Sequence, residues 1–317
     1  MLKHSERWDS YRSGPHWVAV FAAVFTWPLL FVGGLVTSYH VGMAVPDWPT
    51  TFGINMFLYD FFNSPWGVFI EHTHRLYGFA VGLATIVLVI WFTSAERSNQ
   101  RMVRLAWFAL LAVITQGVLG GLRVNQVSTT LAAIHGCTGQ AFFGLMVAIA
   151  VMTSRSYREP TACSDGQSRL RFTSLTLVAV IYAQELMGAW LRHFPSRLGL
   201  VLHGISAIAV VALGIVVLIQ VSRRGAILSA LWPSAIAFSA SLVFQVSLGL
   251  AAWWVLEFQT SQPADLSALI RTGHQANAAL LLGSSVSLAL YVHRYTGSTV
   301  LAYRSEESWN AQLEAVV

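Results

Sequence analysis

The sequence predicts an all-α integral membrane protein whose eight transmembrane helices form two pseudo-symmetric four-helix bundles. Three observations predict it. Apolar types make up 55% of the 317 residues and charged types only 10%, where a soluble domain carries about a quarter charged residues. Mean hydropathy is +0.59. The apolar residues are gathered in runs that match the roughly 20 residues a helix needs to cross a hydrocarbon core. Barrel strands would instead alternate apolar and polar residues over about ten positions, and these runs do not.

In chain order the runs cover about 17–38, 69–92, 104–124, 131–153, 172–192, 199–221, 229–254 and 268–293. The first is too long, and ends too little like a cleavage site, to be a removable signal. Between runs 1 and 2 lies the longest outer loop, 39–68, with Pro46-Asp47-Trp48-Pro49, Asp60 and Trp66 and no Lys or Arg. The polar stretch 154–171, holding Pro160 and Gly166, separates an N-terminal half, 1–153, from a C-terminal half, 172–317. The loop between runs 5 and 6 is only a few residues around Pro195.

The halves read as copies. Gln116-Gly117-Val118-Leu119-Gly120 is echoed by Gln245-Val246-Ser247-Leu248-Gly249, 129 positions later, and His74 and His203 are also 129 apart. His135 and His274 are 139 apart, the longer loop before run 8 absorbing the difference. Four spans per half keep the same orientation, so the repeat is parallel, about an axis along the membrane normal.

Net charge is +5, but its placement reports topology rather than a nucleic-acid partner. Lys3, Arg7, Arg12, Arg97, Arg101, Arg104, Arg155, Arg158, Arg169, Arg171, Arg223, Arg224, Arg294 and Arg304, 14 of the 19 basic residues, lie on one set of ends. By the positive-inside rule those ends and both termini are cytoplasmic; the expected location is the inner (cytoplasmic) membrane, as a multi-pass protein. Cys137 and Cys163 have no reason to pair, and without a CxxCH motif any haem is held without thioether links.

Ionisable side chains at membrane depth are costly and mark function by default. His74, His135, His203 and His274 each lie four to six residues into an even-numbered run, roughly 6–9 Å below its outer end. Two inward histidines at one level in a four-helix bundle suit the two axial positions of haem iron, whereas zinc wants three or four ligands. Two such pairs predict two haem-sized sites. A single membrane histidine is as readily a helix–helix hydrogen-bonding group; four at matched depth in a repeat are not. His4, His16, His40, His193 and His293 are read as interfacial. His72, two positions from His74, faces another direction.

Glu71 stands one turn before His74 on the same face, able to carry protons or bond a substrate, or merely to favour a helix N-terminus. Leu200 occupies its place in the second half, so the two sites differ in task. Glu185, inside run 5, has no role beyond a bond to a neighbour. Arg75, Arg123, Arg192, Arg197 and Arg271 lie off the cytoplasmic side. Arg75 and Arg271 adjoin the histidines, where a guanidinium fork pairs with carboxylates such as haem propionates; snorkelling explains some equally well. Gly33, Gly34, Gly120, Gly121, Gly188 and Gly249 are read only as small residues that let helices approach.

Taken in order, Gly33-Gly34-Leu35-Val36-Thr37-Ser38, Pro46-Asp47-Trp48-Pro49, Glu71-His72-Thr73-His74-Arg75-Leu76, Gln116 to Arg123, His135-Gly136, His203-Gly204 and His274-Gln275 resemble the haem A synthase family, over about 17–293. The resemblance implies an oxidoreductase that converts the C8 methyl of haem O to a formyl group by successive hydroxylations. It implies that His203 and His274 ligate a resident haem b. It also implies that His74 and His135 hold the substrate haem O, with Glu71 as the catalytically important acid. Haem O synthase and terminal-oxidase assembly are the partners it suggests; an oligomer stays open. Many bacterial members carry a cysteine pair in the first outer loop, but Val45 and Thr50-Thr51 stand there in this chain, so a thiol role for the loop is ruled out. A diheme cytochrome b-like electron carrier and, less favoured, a transporter are the competing readings.

Overall fold

A computed structural model describes residues 13–158, 168–223, 225–258 and 264–296. Lys3, His4, Arg7, Arg12, Pro160, Cys163, Gly166, Arg224 and Arg304 lie outside the described residues. The chain is α-helical: α1 Gly14–Ser38, α2 Trp66–Ala95, α3 Gln100–Asn125, α4 Thr129–Thr153, the single turn α5 Arg155–Arg158, α6 Ser168–His193, α7 Arg197–Ser222, α8 Gly225–Phe258 and α9 Ala264–Tyr295. Eight of these, all but α5, contain stretches long and apolar enough to cross a membrane. The chain is a multi-pass membrane protein.

The helices begin before the apolar runs do, and three of them open on a side-chain cap. Asn99, Ser128 and Ser196 each accept a backbone N–H in the first turn of α3, α4 and α7, at 3.4, 3.2 and 3.0 Å, satisfying donors that a helix start leaves open. Two expectations shift accordingly. Residues 168–171 of the expected linker belong to α6, and the expected loop 39–68 ends where α2 opens at Trp66.

In contact order, α1 to α4 pack as a ring, α1 on α2 and α4 and α3 on α2 and α4; α6 to α9 pack likewise. The two groups meet through α1, α4, α6 and α9, with α4 touching both α6 and α9. Apolar packing concentrates toward the end opposite the histidines. One cluster gathers Ala19, Leu88, Phe92, Met146 and Ile149, a second Leu177, Val217, Leu231, Phe238 and Leu288, and Leu30, Phe143 and Ala279 join them. Lipid tails are as apolar as these side chains, so close packing rather than water exclusion holds the helices together. Two cross-group bonds occupy matched places: Trp27 Nε1 donates to the Ala276 carbonyl at 3.0 Å and the Tyr182 hydroxyl to the Cys137 carbonyl at 3.4 Å. Each acceptor is two positions after a histidine, His274 or His135.

Candidate functional site

Helix packing brings the four histidines together in twos. The rings of His74 on α2 and His135 on α4 have centroids 6.2 Å apart with planes at 83°. Those of His203 on α7 and His274 on α9 are 6.3 Å apart at 84°. Their depths do not match when counted along the helices. His74 and His274 stand more than two turns from the starts of α2 and α9, His135 and His203 fewer than two turns from theirs. Within each pair the rings meet all the same, so α2 and α9 place more residues before their histidines than α4 and α7 do.

The spacing is chemically informative. A metal–imidazole bond is about 2 Å, which puts a ring centre about 3 Å from the metal. Two imidazoles on opposite faces of one ion therefore have centres about 6 Å apart, close to both pairs. Among the described residues no group of three or more His, Cys, Asp or Glu gathers. Each site offers two imidazoles, the number a macrocyclic iron leaves open on its two faces.

Each ring rests on a glycine. A Cβ on Gly33 of α1 would lie 2.7 Å from His74 Cε1, on Gly120 of α3 3.3 Å from His135 Cε1, on Gly188 of α6 2.9 Å from His203 Cε1, and on Gly249 of α8 3.0 Å from His274 Cε1. The missing Cβ also exposes a backbone acceptor four residues earlier. Nδ1–H of His74 donates to the Leu29 carbonyl at 3.0 Å, which leaves Nε2 as the nitrogen with a free lone pair, able to accept a metal. Nδ1 of His135 and of His274 is buried without a hydrogen-bond partner, facing the backbone of Gln116 and Gln245. In the remaining place Gln184 lies beside His203, its amide nitrogen 3.1 Å from Nδ1 and 2.8 Å from the His203 carbonyl. Gln245 Nε2 is 3.4 Å from His274 Nε2, and its carbonyl accepts from Asn277 at 2.9 Å. Gln116 bonds Thr138.

The amino-acid sequence alone does not reveal the part these glycines and glutamines play. Gly33, Gly120, Gly188 and Gly249 are the floors of the imidazole sites, while Gly34 faces Thr272 and Gln275 of α9 and Gly121 faces Trp48. The legible signal is Gln-x-x-x-Gly three times over, at Gln116, Gln184 and Gln245; only the first and last are visible in the repeat comparison.

The loop 39–65 is clamped to α2 beside the first pair. Glu71 is 1% exposed. Its carboxylate accepts from Val45 N at 2.9 Å and pairs with Arg75 at 2.9 Å. Arg75 Nη1 donates to the carbonyls of Asp47 and Thr50, and Nη2 to that of Val45 as well as to Glu71. The Arg75 fork thus serves the loop. His72 is wholly buried, bonded to Thr51 Oγ1 at 3.2 Å and stacked on Phe61 with centroids 4.6 Å apart. Burial works to raise the Asp47 carboxyl, but the N–H of Gly53, the Thr50 hydroxyl and the N–H of Phe52 outweigh it and bring it down to about 2.

Of the other arginines, Arg123 lies against Gly42 of the loop. Arg192 donates to the carbonyls of Gly34 and Arg271 and to Ser38 Oγ, bridging the two groups of helices. Arg271, one turn before His274, supplies that carbonyl, and Arg197 is exposed at the start of α7.

The family model described as "Cytochrome oxidase assembly protein" (COX15-CtaA) matches residues 16–201. The chain belongs to this family. The matched stretch contains Glu71, His74 and His135 and stops just before His203. Among curated proteins, a heme A synthase of Alkalihalophilus pseudofirmus is 25% identical over 172 residues, 54% of this chain and 57% of that protein. A heme A synthase of Symbiobacterium thermophilum is 27% identical over 173 residues, 52% of this chain and 55% of that protein. The chain thus spans little more than half the length of these relatives.

Proposed function

We propose that the chain is a haem A synthase, a membrane oxidoreductase that converts the C8 methyl of haem O to a formyl group. Two hydroxylations, each a two-electron oxidation of the methyl carbon that needs an external oxidant, give a geminal diol, which loses water to the aldehyde. The observation that carries the reading is the paired imidazoles, 6.2 and 6.3 Å between centroids, each seated on a glycine. The two relatives named heme A synthase support it.

The two sites divide the work in this reading. His203 and His274 hold a resident haem b, which when bound supplies one-electron redox chemistry. His74 and His135 bind the substrate haem O by its iron, and the second half repeats the four-helix arrangement of the first about an axis along the membrane normal. Only the first pair lies beside the long loop and the buried Glu71–Arg75 pair, which supports its assignment to the substrate. Glu71 holds the loop over the site through Val45 and Arg75, and the loop excludes water and fixes the substrate's edge. Both termini lie in the cytoplasm and the histidine end faces outward, on the strength of the charge bias.

In cells that also make haem O, the chain should lead to haem A in extracted pigment, and Glu71→Ala should abolish it. Purified protein should show a low-spin b-type spectrum that His203→Ala or His274→Ala removes. The near-identical ring geometry of the two sites favours a second reading, a diheme electron carrier with a permanent haem in each. Haem b in the protein with neither haem A nor hydroxylated haem in the extract would decide for it.

A further inference from the structure

Glu185 is a buried acid that the proposed reaction leaves unused. It lies on α6, next to Gln184 and three positions before Gly188, the residues that flank the His203 ring. Both its carboxyl oxygens are buried and neither has a hydrogen-bond partner. One turn earlier, Tyr182 bonds the Cys137 carbonyl of α4, and Cys137, two positions after His135, is within electrostatic reach of Glu185. The carboxyl therefore occupies the seam where α6, which backs the second imidazole pair, meets α4, which carries one member of the first. The matching place in the first half, three positions before Gly33, is the buried apolar Leu30.

An ionised carboxylate stripped of water and donors is strongly disfavoured, so such a group either keeps its proton or sits near a compensating positive charge. No Lys or Arg bonds to Glu185 among the described residues. The titratable groups around it are Tyr182 on its own helix and Cys137 on α4. α7 and α9 bring His203 and His274, and Arg192 and Arg271 lie further toward the histidine end. A charge that comes and goes is supplied by iron between His203 and His274, whose oxidation adds one positive unit to the same low-dielectric region.

We propose that Glu185 is a redox-linked proton site, which keeps its proton while the haem on His203 and His274 is reduced and releases it when that haem loses an electron. The inference rests on the haem reading above. Its balance is one for one: ferrous iron and the neutral acid become ferric iron, a carboxylate and a free proton, and the electron passes to a one-electron oxidant. The summed charge of the buried region stays constant. In the first half Leu30 stands in the matching place and the buried acid Glu71 is already paired with Arg75, so the unpaired acid is the one beside the resident haem.

The test is an infrared difference spectrum of the purified full-length, haem-bearing protein, reduced with dithionite and oxidised with ferricyanide. The reduced state should show the C=O stretch of a protonated carboxylic acid, moved by D2O and absent from Glu185→Gln. The midpoint potential of the second-site haem should fall as pH rises in the wild type and lose that dependence in Glu185→Gln. A wild type without the band, or a band that survives in Glu185→Gln, overturns the proposal. If Glu185→Gln does not retain haem, Glu185→Asp replaces it: the band must move, and an unmoved band is equally fatal. A low-spin haem spectrum without the band defeats this inference alone, whereas a wild type that binds no haem defeats both it and the reading beneath it.

Discussion

Gly188 has a hydrogen where any other residue would set a carbon 2.9 Å from the His203 ring. Overpacking of that kind costs about 1–3 kcal/mol when neighbours can shift, and here the neighbour is the ring that must hold its place. Gly188→Val should therefore abolish the low-spin haem spectrum of the second site while the protein remains folded by circular dichroism. Gly78, around which a Cβ would meet nothing within 4 Å, is the matched control: Gly78→Val should leave the spectrum unchanged. Equal loss in both would mean that the glycines act through helix propensity rather than as seats for the imidazoles. The histidines themselves were legible because ionisable residues are rare at membrane depth. The glycines were not, because close helix packing accounts for a membrane glycine equally well.

At the scale of the element, the loop between α1 and α2 is built around the Glu71–Arg75 pair and the half-buried Asp47. Arg75→Leu removes the partner of a carboxylate that is 1% exposed and strips three loop carbonyls of their donor. Leaving one member of a buried pair alone costs about 3–5 kcal/mol, so the variant should melt at lower temperature and be nicked by protease within 43–63. Asp47 has its carboxyl depressed in the folded loop, so its contribution is present above the ordinary carboxylate value and is lost as pH falls toward about 2. Amide protection at Phe52 and Gly53 should hold steady from neutral pH to about 4 and decline below it; decline beginning near neutrality would contradict this. In the sequence Glu71 stands one turn from His74, and that spacing suggested a shared face. Only the folded loop reveals that its carboxylate is engaged by Val45 and Arg75, since loop course depends on contacts far apart in the chain.

For the whole molecule, α1, α4, α6 and α9 form the seam between the two groups of helices, and Arg192 ties it at the histidine end through Gly34, Ser38 and Arg271. Hydrogen bonds to a charged donor contribute about 1.5–3 kcal/mol each. Arg192→Ala should lower the thermal midpoint in detergent by several degrees yet leave the b-type spectrum intact, because neither imidazole pair spans this seam. Loss of the spectrum would assign Arg192 to the site instead.

By itself the amino-acid sequence determined the eight spans, their number and order, and singled out the four histidines whose rings the fold brings together in twos, because hydropathy and the expense of buried ionisable groups are local properties. It also marked the two halves as unequal, through Glu71 against Leu200 and one long outer loop against one short one. The tertiary structure decided how far each helix runs beyond its apolar stretch, that each imidazole is seated on a glycine of a neighbouring helix, and that Arg75 spends its donors on the loop. Those outcomes depend on which backbones approach one another, and a hydrogen in place of a methyl group acquires meaning only when a particular ring is packed against it.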